Sequence, residues 1–236
     1  MHIPDGFIPL SFAIPAFLIT LIFWVISFKK IKLTEQQVPM MGLLTALFFA
    51  AMFVNIPIIG GTTAHLLGGT TIGLILGPFA GLISMSIILI LQAFLFGDGG
   101  IVALGANVLN MGVIGIFVPC IIFIVLNKLL KPKLDSRLCI ILFISALFSA
   151  LLTAISAGIQ VGLSPLSPYG LHIVLPAMIT HHTIIGILEG IVNVILIITL
   201  LKLRPDVLEK SPILGKLSLF KNTNRIKNEE TFNDEE

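Results

Sequence analysis

Long apolar runs separated by short polar breaks dominate the chain. A helix that crosses the ~30 Å hydrocarbon core of a bilayer needs ~20 mostly apolar residues, fewer where it is packed among others. Such runs occupy 7–28, 40–56, 105–127, 138–162 and 173–202. The stretch from His65 to Phe96 is also apolar, but it is too long for one helix and Gly77-Pro78 interrupts it. Proline removes a helical hydrogen bond and crowds the preceding turn. The pattern therefore predicts a short span, 66–77, followed by a full one, 78–96. The expected fold class is all-α: a polytopic membrane helix bundle of about seven transmembrane helices over 1–203. A polar cytoplasmic tail, 204–236, follows it and ends in NEETFNDEE, a composition expected to stay loose or disordered.

Charge placement tests that division. If each span reverses the chain, 29–39, 128–137 and the tail share one side. These segments, with the end of the last span, hold every one of the 14 basic residues, from Lys29 and Lys30 to Arg225 and Lys227. The loops 55–65, 97–104 and 163–172 hold none. Lys and Arg concentrate in cytoplasmic loops, so the N-terminus is expected outside and the C-terminus inside. Composition agrees: 56% of the residues are hydrophobic and 11% charged, against about a quarter charged in soluble domains. Lipid must cover much of such a surface. The net charge of +2 gives no reason to expect a nucleic-acid partner. Cys120 and Cys139 sit in or at the end of apolar runs and read as small core hydrophobes. Basic residues follow rather than precede the first apolar run, which argues against a cleaved leader, so Met1 is expected to remain.

The outer loops NIPIIGGTTAH (55–65) and FGDGGIVALGAN (96–107) are rich in Gly, Thr and Asn, and all five histidines (His2, His65, His172, His181, His182) lie on or near that side. Neutral imidazole is the commonest metal-binding side chain. His2 carries a particular chemistry. The terminal amine, the His2 amide and the His2 imidazole Nδ1 can chelate one ion through adjacent five- and six-membered rings. The amide must lose its proton, which Ni²⁺, Cu²⁺ and Co²⁺ induce. Three coplanar nitrogens suit tetragonal N-donor geometry, with His65 as the candidate fourth ligand. An exposed terminal histidine without a ligand is the competing reading of the same residue. Metal and protons would compete near neutral pH for an ordinary amine.

The opening MHIPDGFI strongly resembles the start of the CbiM/NikM family, the substrate-capture (S) components of energy-coupling-factor importers for cobalt and nickel. The similarity continues through GTTAHLLGG (61–69), FGDGGIVALGANVLNMG (96–112), HTIIGILEG (182–190) and LRPDVL (203–208). It implies an extra N-terminal helix on a six-helix core, in the inner membrane of a prokaryotic cell. It implies a metal site made by the Met1 amine, the His2 amide and imidazole, and His65, with 55–65 and 97–104 packed over it. Asp98, Asn107 and Asn110 become candidates for groups that hydrogen-bond the ligands or fix the loops, though each also suits a turn or cap. Ni²⁺ or Co²⁺ would be the transported substrate. The implied partners are a transmembrane coupling subunit, two ATPase subunits and a small accessory membrane protein. Two features depart from the commoner pattern: His181 beside His182, and a tail without an extra domain.

Other residues were weighed beside these. His182 and Glu189 share a helix face two turns apart, ~10 Å by helical rise. An intramembrane carboxylate is a candidate for function, so Glu189 is expected either to anchor a polar network or to take part in coupling. Gly42, Ala46 and Ala50 recur every four residues, as do Gly73, Gly77 and Gly81. Such spacing permits close helix approach; the first stripe is a candidate for subunit docking, and the second for internal packing. The chain has no GxxxxGK[ST] motif, so ATP hydrolysis by a P-loop is excluded and transport energy would come from partners. The alternative is a stand-alone secondary transporter or channel for a divalent metal using Glu189. An intramembrane hydrolase using His181, His182 and Glu189 lacks the HExxH pattern.

Overall fold

The computed structural model describes residues 1–35, 37–217 and 220. The elements in order are α1 (Leu10–Lys30), α2 (Gln37–Met52), β1 (Ile56–Ile58), β2 (Thr62–Ala64), α3 (Gly69–Leu76), α4 (Pro78–Phe96), α5 (Leu104–Asn107), a π segment (Val108–Ile114), α6 (Gly115–Leu130), α7 (Ser136–Gly162), α8 (Leu171–Leu203) and α9 (Pro205–Glu209). The chain is a multi-pass membrane protein. α1, α4, α7, α8 and the continuous stretch Leu104–Leu130 are five helices long and apolar enough to cross a bilayer. Their outward faces carry large apolar side chains such as Ile22, Phe94, Ile121 and Ile195.

The remaining two expected spans are shorter. α2 is an apolar helix of 16 residues. α3 has 8 residues, every one buried, and at 1.5 Å per residue it reaches only about 12 Å. It is a half-length helix enclosed by α4, α6 and α7. The break after it follows the sequence expectation. Gly77 takes a φ of +82°, open to glycine, and Pro78 starts α4 where no N–H is needed.

Leu104–Leu130 is not a plain helix. Val108–Ile114 forms a π segment, and Pro119 follows. Proline offers no N–H to the carbonyl of Gly115, four residues earlier. The Ser149 hydroxyl on α7 donates to that carbonyl instead, at 2.7 Å.

The purely helical expectation also misses a small hairpin. β1 and β2 pair antiparallel with Ile56 opposite Ala64 and Ile58 opposite Thr62. Gly60 and Gly61 turn the chain with φ of +108° and +77°.

Part of the expected loose tail is folded. Arg204 ends α8, α9 begins at Pro205, and Leu208, Ile213, Leu214 and Leu217 are buried in the main core. The Ser211 hydroxyl donates to the Leu74 carbonyl near the end of α3 at 2.6 Å. Pro212 lies under Gly77, where an added Cβ would stand 3.0 Å from the proline ring. Leucine and isoleucine at these positions bury against the half-helix, which the charged remainder hides from a composition-based reading. The rest of the tail, 218–219 and 221–236, lies outside the described residues.

α1 is the most lipid-facing helix, with Ile14, Leu18, Ile22 and Val25 exposed. It is held by two polar contacts: Thr20 Oγ1 donates to the Gly105 carbonyl at 2.8 Å, and Trp24 Nε1 to Ser86 Oγ at 2.8 Å. A side chain at Gly105 would collide with the backbone of Phe17.

Candidate metal centre

The first residues thread inward. Met1 and Ile3 are fully buried, Met1 in the main core and Ile3 in a second cluster with Ala103, Ala106 and Val174. Burying both apolar neighbours pins His2 between them, itself 2% exposed.

The main chain is fastened on both sides. Asn107 forms a reciprocal pair with Ile3: the Ile3 N–H donates to Oδ1 at 2.8 Å and Nδ2 donates to the Ile3 carbonyl at 3.1 Å. The Gly100 N–H also reaches that carbonyl at 2.9 Å. From the hairpin, Thr62 Oγ1 donates to the His2 carbonyl at 3.0 Å. The Asp5 carboxylate accepts the N–H groups of Ile101, Val102 and Ala103 at 2.9–3.3 Å, a capping arrangement just ahead of α5. The loop 97–104 and the hairpin therefore close over the N-terminus from opposite sides. Gly99, at φ +92°, passes so near that an added Cβ would stand 3.2 Å from the His2 ring.

The terminal amine donates to the Thr63 carbonyl and, at 3.2 Å, to the Thr63 hydroxyl. The His2 and His65 rings stack with centroids 4.8 Å apart. Each ring is tethered through one nitrogen. His2 Nε2 donates to Gln92 Oε1 at 3.1 Å, and His65 Nδ1 to the Leu66 carbonyl at 3.1 Å. Those bonds set the tautomers, leaving lone pairs on His2 Nδ1 and His65 Nε2. Both atoms are buried without a hydrogen-bond partner. Among the described residues no three His, Cys, Asp or Glu side chains are grouped to hold a metal. A centre here has to draw on main-chain nitrogen.

Burial sets the protonation. It drives the terminal amine down to about 4, although the Asp98 charge works against it. It drives His2 down to about 3, helped by the amine and opposed by the bond to Gln92. His65 is also depressed by burial, then by the charges of the amine, His2 and, more weakly, His182. All three groups are neutral at pH 7, so the competition with protons expected of an ordinary amine moves to acid pH. Asp98 Oδ1 stands 3.4 Å from His2 Nδ1. With a neutral imidazole this is proximity rather than an ion pair. Asn55 holds the other oxygen of Asp98 at 3.1 Å, while burial raises the carboxyl.

Glu189, 3% exposed on α8, accepts the N–H groups of Leu67 at 3.2 Å and Gly68 at 3.0 Å. It thereby fixes the turn between His65 and α3. Asn107 and Asp98 sit beside the N-terminus, but Asn110 does not. Its side chain binds Ser156 and Gln160 on α7 at 2.7 Å, fastening the π segment. His182 is fully buried, with Nδ1 on the Met178 carbonyl at 2.8 Å. His172 is exposed, and His181 bonds the Ala177 carbonyl. Gly42, Ala46 and Ala50 lie on the exposed face of α2. The first two line an apolar groove of about 460 Å³ with Phe49, Ile87 and Leu91.

Sequence reasoning missed Asp5, Thr62, Thr63 and Gln92. Asp5 stood within the opening motif, and Gln92 was a lone amide in an apolar helix, a costly placement without a partner. The threonines gave no signal, because one acts through its carbonyl.

Residues 2–207 match the family model CbiM, described as the cobalt uptake substrate-specific transmembrane region. The fused nickel transport protein NikMN of Rhodobacter capsulatus is 37% identical over 88% of this chain and 64% of its own length. The cobalt transport protein CbiM of Acetoanaerobium sticklandii is 36% identical over 70% of this chain and 67% of its own. A crystal structure of a transition metal transporter superposes with a TM-score of 0.77 at 34% identity, covering 96% of this chain and 99% of the other.

Proposed function

The chain belongs to the CbiM family of transmembrane regions, and on that premise we propose that it captures Ni²⁺ or Co²⁺ at its N-terminus for import. The ligands are the Met1 amine, the His2 amide nitrogen, His2 Nδ1 and His65 Nε2. One observation carries this reading. A terminal chelate with histidine in second place requires Nδ1 of that histidine, and Nδ1 is the nitrogen that the Gln92 tether leaves free. The fourth donor, His65, is likewise tethered through its other nitrogen and stacked against His2. Metal-bound imidazoles usually carry such a carbonyl partner.

Asp5 and Asn107 hold the terminus in place; Asp98, Asn55 and Gln92 orient the donors. Glu189 positions His65 through the turn it accepts. That engagement supports a fixed structural carboxylate over a mobile proton carrier, and so disfavours the stand-alone transporter reading. The capture end lies opposite the basic helix ends at Lys29, Lys128, Arg137 and Lys202, supporting an external site by the charge rule. Energy would come from two ATPase subunits through a transmembrane coupling subunit seated on the Gly42-Ala46-Ala50 face of α2, with a small accessory membrane protein. This face is unpartnered and lined by small side chains, as close helix packing needs.

The test is titration of the purified chain with Ni²⁺ and Co²⁺, beside His2→Ala. The substitution keeps the free amine and the amide but removes the Nδ1 that closes the six-membered ring. Loss of tight binding supports the assignment. Undiminished binding by His2→Ala sinks it.

A further inference from the structure

At this end of the bundle one buried nitrogen has no use in the capture site. His182 Nε2 is fully buried and has no hydrogen-bond partner. Its Nδ1 donates to the Met178 carbonyl, so Nε2 carries the lone pair, as in His65. We propose that His182 Nε2 forms, with His65 Nε2, a second metal station that receives Ni²⁺ or Co²⁺ as the terminal chelate lets go. This rests on the capture reading above.

The placement follows from the contacts that bracket it. On α8, Val174 and Glu189 stand on either side of His182. Val174 packs on Gly60, where an added Cβ would stand 3.4 Å from the Val174 Cα. Glu189 bonds Leu67 and Gly68. From Gly60 the chain thus runs through β2 and the turn after it beside α8 in the same direction, and both strands touch that helix. Between those two fixed points, His182 falls opposite the stretch that ends at His65.

The imidazoles of His2, His65 and His182 do not converge on one point, since no such group of three exists among the described residues. His182 is therefore not a fifth member of the planar set. It is a neighbouring donor, reached by exchange. The metal bonds to the amine, the His2 amide and His2 Nδ1 break. The amide nitrogen takes back a proton from water. The bond to His65 Nε2 is kept, and a bond to the lone pair of His182 Nε2 forms. Imidazole suits both ions and binds them neutral, so the second station needs no proton loss. The ion is never free while it moves from the loops to the membrane-spanning helix α8.

The test uses the full chain carrying His2→Ala, titrated with Ni²⁺ or Co²⁺ alone, with and without His182→Gln. Calorimetry gives affinity, and X-ray absorption counts imidazole ligands. The His2→Ala chain is expected to keep a weaker site with two imidazoles. His182→Gln should lower that count to one and weaken the residual site on the order of tenfold. In the native chain the same substitution should leave the tight site intact. A residual site indifferent to His182→Gln, or no residual site at all, overturns the proposal. If instead the His2→Ala chain binds as tightly as the native one, the capture assignment fails, and the imidazole count after His182→Gln still decides the role of His182. Thermal unfolding of the metal-free chains separates ligand loss from misfolding, with His182→Asn replacing any variant that does not fold.

Discussion

The two ends of the half-helix α3 are built from the same kind of contact and finished differently. Beyond its first turn, Glu189 on α8 accepts the N–H groups of Leu67 and Gly68. Near its last turn, the Ser211 hydroxyl donates to the Leu74 carbonyl and accepts the N–H groups of Ile213 and Leu214. Both are distant side chains completing what a short helix leaves open. The Ser211 end is closed: its hydroxyl is donor and acceptor at once. The other end leaves His2 Nδ1, His65 Nε2, Gln92 Nε2 and His182 Nε2 buried without partners. Each unmade hydrogen bond of this kind costs roughly 1–3 kcal/mol. Ser27 Oγ is an isolated case elsewhere, and Thr70 Oγ1 is a further one in the first turn of α3, but among the described residues only here do ring nitrogens with lone pairs gather beside an unprotonated amine. A protein tolerates that where a ligand completes the set.

The contrast makes ordered predictions. The largest effect belongs to the donors: His2→Ala or His65→Ala should weaken Ni²⁺ binding by on the order of a hundredfold or more, read by calorimetry. Gln92→Leu comes next. It keeps the size of the side chain but removes the carbonyl that holds the Nε2–H tautomer of His2, so affinity should fall about ten- to a hundredfold while the chain stays folded.

The acid side gives a third test. The amine and His2 have folded values of about 4 and 3, against about 8 and 6.5 when free. The unfolded chain therefore binds more protons between those limits, and stability falls as pH drops through that window. The metal-free unfolding temperature should decline steadily from pH 8 to pH 5, and bound Ni²⁺ should raise it at every pH where binding persists. A flat profile would show that the terminus is not buried as a neutral base.

Ser211→Ala should have the smallest effect on binding. It should lower stability by about 1 kcal/mol and leave metal affinity within about twofold, since sites this far apart are usually independent. A matching loss of affinity would mean that the two ends of α3 are coupled.

The sequence alone determined the membrane character, the position of most long helices and the Gly77-Pro78 break, because lipid demands long apolar runs and proline cannot continue a helix. It also marked Met1, His2 and His65 as the proposed ligands, because such a chelate would depend on covalent order at the terminus and the resemblance covered that motif. Other features came from contacts between residues far apart in the chain. Asn107 and Asn110 look alike in sequence, yet one clamps Ile3 from the end of α5 and the other, within the π segment, clamps α7. The hairpin forms because α8 and the N-terminus receive it, and the start of the tail folds because α3 is too short to close the bundle beneath Gly77. Gln92 and the carbonyl of Thr63 become partners only when the N-terminus is drawn inside. The neutrality of the amine is likewise a product of tertiary burial. Composition can supply a nitrogen, but the surrounding fold decides whether it holds a proton or offers a lone pair.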